Sequence, residues 1–220
     1  MTEHTLVFPK IEVRTVTTTT GTPRYIVKGY AFAKNIPHIH KWVQDASGNI
    51  QRTFKSLFTD NFERSFAEQL KTKSIFVDAQ HAIAANLNIR SSLNSIKNKA
   101  GTGIEGEIET ILSNLKASEL PLAKLNEFRI EDNGFYVETE LNPHYRELDE
   151  DHRSYFDFVW RSLQDGYFNG MSINSRFTKV NTDADGLERI DDGEAFGISY
   201  VSNAALGKFS SITEVAMRSI

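Results

Sequence analysis

Two glycines, Gly166 and Gly170, mark the place where a helical pattern gives way to strict alternation. Upstream, Leu148–Gly166 reads as an amphipathic helix with Phe156, Val159, Trp160 and Leu163 on one side. Asp149, Glu150, Asp151 and Arg153 occupy its exposed first turn, and acidic groups there suit the positive end of the helix dipole. Downstream, period two sets Ser172, Asn174 and Arg176 on one strand face and Met171, Ile173 and Ser175 on the other. A chain built this way must lay a helix against a half-buried sheet. Ser172, two residues past the glycine bend, can be held in fixed aim at a substrate, although a strand serine often has no role.

The same periodicities organise the rest. Leu6–Thr20 and Tyr25–Ala33 read as strands joined by a turn at Gly21-Thr22-Pro23. Residues 35–47 read as loop, and Ile50–Phe58 as a short strand. Asp60 and Glu63 have the spacing of a capping box, with Phe62, Phe66 and Leu70 forming one apolar stripe to about Thr72. Ser74–His81 is an apolar strand ending on a histidine. Residues 82–119 predict an inserted helical hairpin broken at Gly101-Thr102-Gly103, either a mobile lid or docking element or a passive insertion. Pro121–Leu141 is a β-hairpin turning at Asp132-Asn133-Gly134. Strands near Leu187–Ile190, Ala195–Ser202 and Ser210–Met217 follow a turn at Asp183–Gly186. Antiparallel strands with interspersed helices define an α+β chain, and 220 residues suit a single domain.

Composition removes several function classes. There is no cysteine, which excludes disulfides, thiol nucleophiles and thiolate metal sites. A net charge of −4 without a basic stripe gives no support to a nucleic-acid partner. No long apolar run predicts a membrane span, and Met1–Lys10 lacks the order of a signal peptide. Of six histidines, His4 lies near the terminus, and His144 and His152 lie at a polar helix start where solvation is expected. His38 and His40 could share a strand face, but no third ligand lies nearby, so no metal site and no cofactor are expected. His81 alone ends an apolar strand, as a core histidine or as a base.

Taken in order, the histidine-terminated strand, the Asn-Gly hairpin, the helix, the Gly170-Met171-Ser172-Ile173-Asn174-Ser175-Arg176 strand and the final Phe196–Ala204 strand resemble the prohead proteases of tailed bacteriophages. That family is similar in fold to the herpesvirus assemblins, and the likeness spans most of Tyr25–Ile220. The resemblance implies a mainly antiparallel closed β-barrel flanked by helices, with Ser172 as nucleophile and His81 as general base. Its third catalytic position falls on Gly197, which has no side chain; Ser199, on the same strand face, is the candidate to orient the imidazole. Asp191, Asp192 and Glu194 are expected before that strand, and Arg176 as a surface ion-pair partner. Gly207 and Lys208 are candidates for oxyanion stabilisation.

The implied activity is a serine endopeptidase acting in the host cytoplasm inside the procapsid. Its partners would be scaffold protein and major capsid protein as substrates, and the chain itself, with Ile212-Thr213-Glu214 a candidate self-cleavage site. A homo-oligomer is compatible with this, and neither nucleic acid nor membrane is expected as partner. The rivals are a non-catalytic structural virion protein on the same barrel, and an unrelated hydrolase or ligand-binding barrel in which Ser172 and His81 lie far apart.

Overall fold

The computed structural model describes residues 12–16, 23–44, 50–100, 105–114, 120–202 and 212–219. The strands are β1 (Glu12–Val16), β2 (Pro23–Phe32), β3 (His38–Gln44), β4 (Ile50–Phe58), β5 (Phe76–Ala79), β6 (Ala123–Glu131), β7 (Gly134–Leu141), β8 (Gly170–Thr182), β9 (Glu188–Val201) and β10 (Ile212–Ser219). The helices are α1 (Asp60–Leu70), α2 (Ala82–Ala100), α3 (Glu105–Asn114) and α4 (Glu150–Gln164). Hydrogen-bonded neighbours run β1-β10-β2-β7-β6-β5-β9-β4-β3, with β8 paired to β9. Because β8 also lies against β2, the sheet curls into a nearly closed barrel. Most pairs are antiparallel, but β1·β10, β4·β9 and β5·β9 are parallel, so the barrel is mixed.

Aromatic burial fills the interior. Phe32 stacks on Phe135 and meets Phe58, Phe62 and Phe66 edge-on or tilted, with ring centroids 5.0–5.6 Å apart. Phe62, Phe66 and Leu70 form the predicted stripe of α1, and each phenyl removed from water contributes about 1.5–3 kcal/mol. Helix α4 presents Phe156 and Trp160 edge-on to Tyr25 of β2. The β6–β7 hairpin turns where expected. Gly134 there has φ +138°, and a Cβ on it would stand 2.3 Å from the Phe32 carbonyl oxygen, so only glycine fits.

Several local expectations are corrected. Residues 38–44 form β3 rather than loop; bulges between Ile39 and Lys41 and between Val43 and Gln44 break the alternation that would have revealed a strand. The cap of α1 is Thr59, whose Oγ1 accepts from the Phe62 N–H, while Glu63 is buried and pairs with Lys34 at 3.1 Å instead of reaching back. The apparent break between Ile190 and Ala195 is absent. Strand β9 continues through bulges opposite β8, and Gln69 of α1 satisfies its free edge at Gly193 O and Ala195 N. His152 is buried, with Nδ1 2.6 Å from Asp149 and its ring edge-on to Tyr145, whereas His144 is exposed as expected. Helices α2 and α3 fall within residues 82–119, while the glycine break between them lies outside the described residues, as does the greater part of Leu6–Thr20.

Candidate functional site

The three central strands β5, β9 and β8 place one residue each in a single row. Asp78 pairs with Ser199 across the parallel β5·β9 ladder, and Ser199 pairs with Ser172 across the antiparallel β9·β8 ladder. Directly opposed residues project to the same face, so the three side chains share one side of the sheet, about 5 Å apart from strand to strand. On the other face Met171, Ile198 and Tyr200 are buried in the core. Asn174, two residues along β8, stands on the same face as Ser172 and opposite Gly197.

His81 reaches this row by an unusual backbone route. Strand β5 ends at Ala79, earlier than expected, so the histidine lies in the turn beyond it. Gln80 and His81 both adopt the left-handed conformation, with φ 54° and 55°, before α2 starts at Ala82. Consecutive left-handed L-residues cost about 1–2 kcal/mol each. They persist because the surroundings hold them. Gln80 N–H donates to Tyr200 O at 2.8 Å, Gln80 Nε2 donates to Ser202 Oγ at 2.9 Å, and the Ile83 N–H at the start of α2 donates to Asp78 Oδ2 at 2.8 Å. Strain supported in this way collects at functional positions.

The imidazole Nδ1 stands 2.6 Å from Asn174 Oδ1 and 3.1 Å from Ser199 Oγ. Asn174 Nδ2 donates to Ser199 Oγ at 2.9 Å, and the Ser199 hydroxyl donates to Asp78 Oδ1. Asp78 and Ser199 are almost fully buried, whereas His81 and Ser172 are partly accessible. Burial pushes the Asp78 carboxyl above its ordinary range, opposed by the Ser199 hydroxyl, the Ile83 N–H and the charge of His81.

The structure thus brings His81 and Ser199 into direct contact on the sheet face that carries Ser172. Among the described residues no hydrogen bond links Ser172 to His81, a separation that unliganded sites often show. The sequence motifs give no role to Asn174 or Asp78. Asn174 was legible as a face-mate of Ser172, and Asp78 carried a signal in being an acid inside an apolar strand three residues before His81. The acids proposed to lie before the last strand are in β9 itself and serve elsewhere. Asp191 accepts from Thr59, Asp192 from Ser65, and Glu194 pairs with the exposed Arg176 at 2.9 Å.

Gly197 is explained by packing. A Cβ there would lie 2.4 Å from the Phe76 ring, which fills the space a side chain at this position would need. Gly207 and Lys208 lie outside the described residues, and Ile212–Glu214 belongs to β10, antiparallel to β2. Among the described residues no cluster of three metal-ligating side chains occurs, and no helix is long and apolar enough to cross a membrane. No family model and no curated protein matches the chain.

Proposed function

We propose that the chain is a serine endopeptidase of the prohead-protease kind, cutting scaffold protein, capsid protein and itself within the phage procapsid. One observation carries the reading: a histidine on a strained turn, its Nδ1 gripped by Ser199 and Asn174, on the sheet face that carries Ser172. The ordered motifs that resemble the phage family supply the substrate class.

In this mechanism the Ser172 oxygen attacks the scissile carbonyl carbon while the His81 nitrogen not held by Asn174, Nε2, takes its proton. The resulting imidazolium is steadied at Nδ1 by Asn174 Oδ1 and Ser199 Oγ. It then protonates the departing amine as the C–N bond breaks. Water, deprotonated by the same imidazole, hydrolyses the acyl-enzyme and restores Ser172. Confinement in a shell raises the effective concentration of substrate around even a slow enzyme.

The alternative, a structural virion protein on the same barrel, draws on the lack of a direct Ser172–His81 hydrogen bond among the described residues. Co-expression with scaffold and capsid protein separates the two. The enzyme trims its partners, loses that activity in both S172A and H81A, and labels at Ser172 with a fluorophosphonate. Unchanged trimming in both variants, or none by the parent chain, rejects the protease.

A further inference from the structure

We propose that Asp78 is a positioning residue that sets which ring nitrogen of His81 carries the proton, acting through the hydroxyl of Ser199. Its consequence for catalysis rests on the protease reading; the protonation pattern does not.

The argument is a count of donors and acceptors. Both Asp78 oxygens face donors, the arrangement of an ionised carboxylate, which only accepts. Asp78 Oδ2 takes the Ile83 N–H, and Asp78 Oδ1 takes the single proton of the Ser199 hydroxyl. Ser199 Oγ then has only lone pairs to offer. One receives Asn174 Nδ2–H, at 2.9 Å, which orients the amide so that its oxygen points to the imidazole. The other faces His81 Nδ1, at 3.1 Å. Nδ1 therefore meets two acceptors, Asn174 Oδ1 and Ser199 Oγ, and must carry the hydrogen. Nε2 is left bare, the tautomer a general base requires. Each polar atom of the buried chain has its partner, and the direction of the whole chain follows from the carboxylate at its inner end.

Asp78→Asn keeps the shape and reverses the direction. The new amide oxygen retains the Ile83 N–H, so its NH2 faces Ser199 and donates to it. The Ser199 proton must then turn to Asn174, whose amide flips to accept it and presents Nδ2–H to the imidazole. Nδ1 becomes an acceptor, and the proton moves to Nε2.

The test is the ring tautomer of His81, read by two-bond 1H–15N correlation on histidine-labelled full-length protein above the pH of imidazole titration. Resonances are assigned by their loss in H81Q. The parent is expected as Nδ1–H and D78N as Nε2–H. N174A removes the second acceptor but leaves Asp78 and Ser199 intact, and is expected to remain Nδ1–H. On the scaffold-cleavage assay D78N is expected to lower kcat by about 10²–10⁴-fold with little change in KM, the signature of a wrong tautomer. D78N that keeps Nδ1–H overturns the proposal. So does N174A that shifts to Nε2–H, which would assign the choice to Asn174; this arm decides the matter if D78N does not fold. Because the tautomer is read without turnover, an inactive parent chain rejects the protease while leaving the role of Asp78 to be judged by itself.

Discussion

Replacing Gly197 by alanine probes the packing that shapes the site. The new Cβ would sit 2.4, 2.5 and 2.8 Å from three atoms of the Phe76 ring. Carbon atoms rest about 3.5–4.0 Å apart, so the ring must retreat by roughly 1 Å. Phe76 is partly buried at the start of β5, paired in register with Gly197 and two residues before Asp78. Overpacking of this kind costs about 1–3 kcal/mol, and the partial exposure of the ring favours the lower half, about 1–2 kcal/mol. For a chain of this size that is a fall in melting temperature of about 2–8 °C. Urea unfolding of the parent, G197A, F76A and the double variant forms the assay. Removing Phe76 opens the space, so the alanine should cost nearly nothing in the F76A background, a coupling of about 1–2 kcal/mol. A G197A protein within about 0.5 kcal/mol of its parent, or an equal cost with and without Phe76, would refute the steric account of this glycine.

Two further outcomes follow from other parts of the barrel. Arg24 Nε and Nη2 each donate to Glu140 at 2.8 Å and, with Asn126 and Lys124, hold its carboxyl at about 2 against an ordinary 4.5. A depressed acid contributes stability above its unfolded pKa and loses it as pH falls, so this contribution should fade between pH about 4.5 and about 2. With Arg24 38% exposed at its side chain, screening reduces the full linkage to about 1–2 kcal/mol. In urea unfolding across pH, E140Q should trail the parent at neutral pH and converge with it near the acid end, and a gap constant with pH would contradict this. Among turn glycines, G134A meets backbone at 2.3 and 2.7 Å at φ +138°, whereas G186A at φ +78° meets nothing within 4 Å. The first should cost about 3 kcal/mol or more and the second about 1–2 kcal/mol, and equal costs in thermal unfolding would remove the close approach to Phe32 and Ala33 as the cause.

Local periodicity made much of this protein legible. The stripes of α1 and α4, the Asn-Gly hairpin and the alternation of β8 depend on neighbours a few residues away, so each is written in contiguous sequence. Where bulges interrupt the alternation, as in β3 and in the middle of β9, that signal vanishes and only long-range pairing reveals the strand. His152 misleads for a related reason: its polar neighbours predict solvent, but Tyr145 folds over it.

By itself, the sequence determined an α+β chain with a serine on a strand face and a histidine at the end of an apolar segment, because element type follows from residue spacing. It also excluded every thiol chemistry by composition. Tertiary structure alone decided that Asp78, Ser199 and Ser172 form one row, that His81 bends through two left-handed residues onto it, and that Phe76 excludes a side chain at position 197. Those relations join residues as far as 121 positions apart, through strand register. A shift of one residue in that register would turn each side chain to the opposite face, and no local pattern encodes it.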